Sequence, residues 1–248
     1  MLILTKKDII FGIMAVLIIT CSIMAPITIN SEIRETMSLE SDVLTVVIDA
    51  GHGEPDGGAV SESGVKESTL NLEIAKKVQE QLEEEGIKVI MTREDENHIA
   101  DEGKESIREI KVSDINNRIE IANNSNAVAL ISIHMNKYPE SKYKGWQTFY
   151  NKASEKGKKL AEYIQAAIKE RVGIENNREA LKIEGIKLID KSKITAVVVE
   201  CGFLSNPDEL NLLQTESYQE KLAEGICKGV INFLLEWAKS LQKHKVIA

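Results

Sequence analysis

Apolar and polar positions alternate along this chain in blocks that predict strands separated by helices. Short apolar runs rich in β-branched residues occur at 43–49, 87–92, 127–133 and 196–200, as is typical of buried strands in a parallel sheet. Within 68–85, by contrast, apolar residues recur every four positions, which predicts an amphipathic helix. This order of elements predicts a three-layer α/β/α fold with a mostly parallel sheet of roughly six strands.

Other segments give weaker signals. The charged segment 94–113 has little apolar pattern, and we interpret it as a surface insertion in which a short helix is left open. Asp114 is then expected to cap a helix that runs through Ala122. A further strand is expected at 147–150 and a further helix at 158–171.

Capping signals predict where the last two helices begin. Asn206 precedes Pro207 and two acidic residues, which is typical of a helix start. Ser217 and Glu220 have the spacing of a capping box. The final helix is therefore expected to start there and to run to about Leu241.

The N-terminal segment has a different character from the rest of the chain. Two lysines precede an uncharged apolar run at 9–29, which is about the length that a helix needs to cross a bilayer. We interpret residues 1–29 as a signal anchor, an uncleaved signal-like transmembrane helix. A cleaved signal peptide remains the alternative, although Pro26 after Ala25 disfavours cleavage. A lipoprotein at Cys21 is a third reading.

Each of these three interpretations places the rest of the chain outside the cytoplasmic membrane, and its composition predicts a globular domain. Residues 30–42 are predicted to be a polar linker and residues 43–248 a catalytic domain. Hydrophobic residues make up 43% of the chain and charged residues 28%, which is typical of globular proteins. The net charge of −8 argues against a nucleic-acid partner, which would favour a basic patch. A disulfide between Cys201 and Cys227 is left open.

Four residues carry the candidate chemistry. His52, His134 and Glu200 lie at or just beyond the ends of predicted strands, and Glu67 lies at the start of a predicted helix. Ligands of such folds bind beyond the carboxyl ends of the strands. Two imidazoles and a carboxylate suit a zinc ion with one open position, and a further glutamate suits the role of general base. The pattern therefore predicts a metal-dependent hydrolase.

The glycine-rich turn around His52 has a competing interpretation. Recurring glycines are also found in loops that bind dinucleotides or phosphate. Here Glu54 and Asp56 would repel phosphate, and Pro55 removes a backbone donor. The glycines on both sides of His52 instead leave room for a metal.

Each of the other candidates also has an alternative. Glu67 would suit the helix dipole without binding a metal, and Glu62 is the nearest rival for the third ligand. Asn136 shares the side-chain parity of the histidine in its strand, so it is a candidate for binding a substrate amide. Cys201 invites a thiol nucleophile, but its side chain is expected to point away from that of Glu200.

The segments around His52, Glu67, His134 and Glu200 resemble those of the zinc-dependent N-acetylmuramoyl-L-alanine amidases of the amidase-3 family. The resemblance extends from about Val43 to Leu235, and four segments in the same order make it specific. They are Ile48-Asp49-Ala50-Gly51-His52-Gly53 with Gly57-Gly58-Ala59, Lys66-Glu67-Ser68-Thr69-Leu70-Asn71-Leu72, Ser132-Ile133-His134-Met135-Asn136, and Val199-Glu200-Cys201-Gly202-Phe203-Leu204-Ser205-Asn206. Met91-Thr92-Arg93 and Asn117-Arg118 also fit.

The resemblance implies a reaction and a role for each residue. His52, Glu67 and His134 would bind one zinc ion, and Glu200 would be the catalytic carboxylate. The substrate would be peptidoglycan, cut at the amide that joins N-acetylmuramic acid to L-alanine of the stem peptide. A zinc peptidase acting on other peptide bonds and a non-catalytic wall-binding protein are the alternatives.

A narrower resemblance is to the sporulation-specific spore-cortex amidases of the CwlD type. It rests on the N-terminal anchor and on the charged stretch at 100–104. It implies action between the membranes of the developing spore, as a step toward muramic δ-lactam, with an accessory spore-envelope protein left open. Lys137 and Thr195 depart from residues frequent in the family, alanine and proline, and bear on specificity.

Overall fold

Six strands form one mixed sheet in the computed structural model, which describes the backbone of residues 44–247 and the side chains up to Gln242. The sheet order is β2-β1-β3-β6-β4-β5. Strands β2, β1, β3 and β6 are parallel, whereas β4 is antiparallel to β6 and parallel to β5. The prediction of a mostly parallel sheet of roughly six strands is therefore confirmed, and the one antiparallel pair, β4 with β6, makes the sheet mixed. The strands are β1 (Thr45–Ala50), β2 (Lys88–Met91), β3 (Ala129–Asn136), β4 (Gln147–Asn151), β5 (Leu181–Ile183) and β6 (Thr195–Phe203).

Helices cover both faces of this sheet, as the three-layer prediction requires. In β1, Val46, Ile48 and Ala50 contribute to the larger hydrophobic cluster, while Val47 contributes to the smaller cluster on the opposite face. Helices α1, α3 and α6 pack together over the larger cluster, and α2 packs with α4 over the smaller one. The helices are α1 (Glu67–Glu84), α2 (Ile107–Asn124), α3 (Glu155–Val172), α4 (Lys187–Lys191), α5 (Pro207–Leu213) and α6 (Glu216–Ile247).

Helix α2 begins well before the predicted start at Asp114, so that prediction is wrong. The Ser106 side chain accepts a hydrogen bond from the backbone N–H of Glu109, and the Glu109 carboxylate accepts from the backbone N–H of Ser106. This capping box starts the helix inside the charged segment. Asp114 instead lies within the helix and pairs with Arg118.

The start of α5 confirms one capping prediction, and α6 contradicts the other. The Asn206 side chain accepts from a backbone N–H in the first turn of α5, as predicted. Helix α6 starts one residue before Ser217 and continues beyond the predicted end at Leu241. The N–H of Gln219 donates to the carbonyl of Thr215, so the first helical turn is closed without a capping bond from Ser217.

The predicted membrane anchor (1–29) and linker (30–42) lie outside the described residues. From Leu44 onward, none of the described helices combines the length and the apolar character that crossing a bilayer requires.

Candidate metal centre and active site

Four chain segments bring the predicted site residues to one edge of the sheet. His52 follows β1, His134 lies near the end of β3, and Glu67 is the first residue of α1. One nitrogen from each histidine and one oxygen of Glu67 all lie within 4.8 Å of one another. Glu200 of β6 is the partner of His134 in the β3–β6 register. The structure therefore brings together all four residues of the predicted constellation.

Glu67 lies at the centre of this group. Its Oε1 atom is 2.9 Å from His134 Nδ1 and 3.4 Å from His52 Nε2. Oε1 also accepts from the N–H of Met135 at 3.1 Å, and Oε2 accepts from the N–H of Ala59 at 2.8 Å. These backbone bonds fix the carboxylate between the two imidazole rings.

His52 is oriented through its other ring nitrogen. Its Nδ1 atom is 2.9 Å from Oδ2 of Asp56, which leaves Nε2 directed toward Glu67. Asp56 Oδ1 lies 2.9 Å from the ammonium of Lys111 on helix α2. A carboxylate behind a histidine in this way fixes the ring orientation and its tautomer. Sequence reasoning used Asp56 only as an argument against phosphate and missed this contact.

Two glycines leave the space that the rings occupy. A Cβ atom on Gly51 would overlap the ring of His134. A Cβ on Gly58 would lie 2.6 Å from Oε2 of Glu67 and 2.7 Å from Cδ2 of His52. The glycine-rich turn is therefore needed for the close approach of these three side chains.

The electrostatics of the group favour a cation. Burial by itself lowers the pKa of His52, but hydrogen bonds and charges from Asp56 and Glu67 raise it to about 9. Burial raises the pKa of the Glu67 carboxyl, yet the hydrogen bonds from His134 and His52 hold it well below its usual range. Positive charge is thus stabilised at this point, whether it comes from a proton or from a metal ion.

Glu200 lies beside the group with one oxygen unpartnered. Its Oε2 atom is buried and has no hydrogen-bond partner among the described residues. Burial raises the pKa of Glu200 to about 7, although the charge of His134 opposes that shift. A buried carboxylate oxygen without a partner is costly unless a ligand satisfies it. With a pKa near 7, the same group can take and release a proton near neutral pH.

A buried arginine supports the turn that carries His52. Arg118 donates from Nη2 to the carbonyl oxygen of His52 at 2.5 Å, and from Nη1 to the carbonyl of Ala50 at 2.6 Å. The same guanidinium binds the carboxylates of Asp49 and Asp114. His52 has a φ of 63°, an unfavourable left-handed conformation for a residue with a side chain, so these backbone contacts hold it in place.

A second arginine binds the neighbouring carbonyls. Arg93 donates from Nε to Ala50 and from Nη2 to Gly51 and Ser68 at 2.8, 3.1 and 2.7 Å. The sequence predicts no role at the site for Arg93 or Arg118, and each only lies in a segment that resembles the family's. The only sequence feature that pointed to them is that Met91-Thr92-Arg93 and Asn117-Arg118 fit the pattern of the family.

The remaining candidates are placed as follows. Glu62 is exposed and does not belong to the group that can hold a metal. Asn136 is half-buried at the end of β3, where the register with β6 shifts. Cys201 is fully buried in the larger hydrophobic cluster, so its predicted orientation away from Glu200 is confirmed. Cys201 and Cys227 are free thiols, and burial raises the pKa of each.

An α/β sheet that carries a possible three-ligand metal group beside a buried carboxylate is typical of metal-dependent hydrolases. The family model of N-acetylmuramoyl-L-alanine amidases matches residues 46–232, which is more than half of the chain. The chain therefore belongs to this amidase family and is a peptidoglycan amidase.

Relatives of known name and structure agree with this assignment. The germination-specific N-acetylmuramoyl-L-alanine amidase of Bacillus subtilis is 38% identical over 208 residues, which are 84% of this chain and 86% of that protein. The CwlD amidase of Clostridioides difficile, solved in complex with the GerS lipoprotein, is 41% identical with a TM-score of 0.75. That match covers 77% of this chain and 98% of the solved one. An N-acetylmuramoyl-L-alanine amidase from Clostridium difficile 630 is 33% identical with a TM-score of 0.69, over 78% and 98% of the two chains.

Proposed function

We propose that this chain is a zinc-dependent amidase in which His52, Glu67 and His134 bind the metal and Glu200 is the catalytic acid and base. One observation carries the proposal. Three ligand atoms within 4.8 Å of one another lie next to a buried, unpartnered oxygen of Glu200.

The donor set fits zinc. Two imidazole nitrogens and one carboxylate oxygen are a ligand set of catalytic zinc sites, which keep a fourth position open. Ligand atoms in a tetrahedral zinc site with bonds of about 2.0 Å are roughly 3.3 Å apart. The oxygen–nitrogen separations of 2.9 and 3.4 Å around Glu67 Oε1 are of that size. Glu62, the predicted rival, does not belong to the group whose ligand atoms lie within 4.8 Å of one another.

The residues then divide the reaction between them. Zinc bound there would supply Lewis acidity for the scissile carbonyl and lower the pKa of water to about 7. Glu200 Oε2 takes the proton of the attacking water and afterwards gives it to the departing alanine nitrogen. Asn136, at the end of the strand that carries His134, binds an amide of the substrate. Asp56 and Arg118 keep His52 in position.

We place this activity in the spore cortex, where it would precede formation of muramic δ-lactam. The relatives named for germination and for the CwlD amidase support that setting. Because the latter was solved with a lipoprotein, we include an accessory spore-envelope protein as a partner. Residues 1–29 would anchor the chain in the membrane, and residues 30–42 would link the anchor to the catalytic domain at 43–248.

Replacement of Glu200 by Gln tests the assignment in the full chain. The Gln variant should keep about one zinc per chain and lose cleavage of muropeptides by a factor of about 100 or more. Mass spectrometry of the products should show glycan without stem peptide in the wild type. Glu62→Gln, at an exposed position outside the group, is the matched control and should retain full activity.

Two outcomes would contradict the proposal. If Glu200→Gln still releases stem peptides at the wild-type rate, Glu200 is not the acid and base. If the wild type cuts between amino acids and leaves peptide on the sugar, the chain is a zinc peptidase.

A further inference from the structure

A single side chain, that of Gln147, lies between Arg178 and Glu200. Gln147 of β4 is directly opposite Glu200 of β6, so their side chains lie side by side on one face. The guanidinium of Arg178 donates from Nη1 to Oε1 of Gln147 at 2.9 Å, and from Nε to the carbonyl of Lys144 at 2.9 Å. A cationic group is thus fixed near the carboxylate assigned to proton transfer.

The guanidinium of Arg178 forms no direct ion pair among the described residues, although its charge opposes the rise in pKa that burial causes at Glu209. Among residues 44–242, the arginine ion pairs are those of Arg118 and Arg171, so no carboxylate oxygen lies within 4.0 Å of the Arg178 guanidinium. Its Nη2 atom donates to none of these residues, and its two acceptors are neutral. Arg118, by contrast, binds Asp49 and Asp114. A half-buried guanidinium with neutral acceptors and a spare nitrogen is available to bind an anion in the fork geometry typical of arginine.

Aromatic packing fixes the plane of this guanidinium. The Cζ atom of Arg178 lies 4.8 Å from the centre of the Phe203 ring, which is itself buried. Tyr138 and Tyr143 lie 6.2 Å from the same ring, and Tyr138 is 51% exposed. Stacking of this kind reduces the entropy lost when arginine binds a ligand.

The loop between β3 and β4 adds positive charge around the same rim. It carries exposed Lys137, Lys142 and Lys144 against a single acid, Glu140. This loop is net positive in a chain of net charge −8, although exposed Glu175 and Glu179 lie in the segment that carries Arg178. An anionic ligand is favoured here and disfavoured over most of the molecule.

We propose that Arg178 binds a carboxylate of the stem peptide, on the peptide side of the scissile amide; this rests on the proposed function. The lactyl carboxyl of N-acetylmuramic acid is consumed in the scissile amide, so the sugar side offers no carboxylate. The peptide offers several, and the one nearest the scissile amide is on the acidic residue that follows L-alanine. Arg178 is therefore a specificity residue that distinguishes a free carboxylate at that position from a carboxamide.

The test compares two substrates and three variants of the full chain with zinc. Glycan strands are prepared whose second peptide residue bears either a free α-carboxylate or the carboxamide. The wild type should favour the acid about 10- to 100-fold in kcat/KM, mainly through KM, as a charge-assisted hydrogen bond predicts. In Arg178→Gln this ratio should fall to near one. Arg178→Lys should keep part of it, because the charge remains without the planar fork.

The control is Arg171→Gln on helix α3, where Arg171 is exposed and pairs with Glu224 at 3.8 Å. It should keep the wild-type ratio and the wild-type rate. Equal cleavage of both strands by the wild type would overturn the role of Arg178 and leave the amidase function standing. An equal loss on both strands in Arg178→Gln would show a purely structural arginine and also overturn it. Failure of the wild type to cleave either strand would overturn the proposed function itself.

Discussion

Two arginines lie on either side of the strand pair that carries His134 and Glu200, and they are used in opposite ways. Arg118, 2% exposed, binds two carboxylates and two backbone carbonyls of the chain itself. Arg178, half-buried, binds two neutral acceptors and keeps one nitrogen spare. The comparison separates a guanidinium that stabilises the site from one that is available to a ligand.

The stabilising side contains a fully paired network. Asp49, 1% exposed, accepts from Arg118, Thr92 and Ser132. Ser132 lies in β3, the strand that carries His134, and Arg118 also binds the carbonyl of His52. The network therefore sets the position of the turn that carries His52. Arg178, by contrast, is held by stacking on Phe203 and is available to bind an anion.

The largest expected effect is that of Arg118→Met. Removal of the guanidinium leaves Asp49 and Asp114 buried without their partner, which costs about 3–5 kcal/mol of unfolding free energy. Urea denaturation with a chelator present measures this, so that loss of metal does not contribute to the change. Arg178→Gln is the matched comparison and should cost about 1 kcal/mol, because it breaks no ion pair and removes only two hydrogen bonds and the longer-range attraction to buried Glu209. Equal losses in the two variants would contradict the distinction between the two arginines.

A smaller loss of unfolding free energy is expected when the pH is lowered. Burial raises the pKa of Asp49, but the charge of Arg118 and hydrogen bonds from Ser132 and Thr92 lower it from 3.8 to about 2. The unfolded chain therefore binds more protons between those values. The stabilisation is present above about pH 4 and is lost as pH falls toward 2, on the order of 2 kcal/mol in all.

Asp49→Asn isolates this contribution. The variant should be less stable than the wild type at pH 7, because Arg118 loses one of its carboxylates. Its unfolding free energy should also fall less steeply between pH 5 and 2, by the amount given above. Chelator-treated protein and urea denaturation at several pH values give both quantities. Parallel pH curves for the two proteins would show that Asp49 has no lowered pKa in the fold.

The sequence predicted the fold where burial is nearly complete. The apolar runs of β1, β3 and β6 have no exposed residue to disturb their pattern. Prediction failed for elements that are too short or too exposed to show a hydrophobic pattern. The three-residue strand β5 is largely exposed, and the five-residue helix α4 is too short for a helical period. The reversed direction of β4 depends on pairing with β6, which no local pattern encodes.

The site residues that lie near strand ends could be predicted from the sequence. His52 and His134 lie at or near the ends of β1 and β3, and Glu200 pairs with His134 although β6 continues to Phe203, beyond its predicted end. The histidine nitrogens and the Glu67 oxygen approach one another as expected. The supporting residues were not predictable from local patterns. Lys111 and Arg118 come from a helix whose start was wrongly placed, and Arg178 comes from a loop that gave no signal. Their roles depend on contacts between segments far apart in the chain.

The smallest expected effect concerns the contact behind His52. Asp56→Asn keeps an oxygen within reach of His52 Nδ1 but removes the charge that lies 2.9 Å from it. Outer carboxylates of this kind typically contribute 10–100-fold to metal affinity, and the retained oxygen argues for the lower end, about tenfold. Zinc titration against a competing chelator measures the change.

Lys111→Met is the control, since it removes the other charged partner of Asp56 and leaves the contact with His52 intact. It should change zinc affinity less than Asp56→Asn does. If the order were reversed, the charge of helix α2, rather than the Asp56–His52 contact, would set the affinity for the metal.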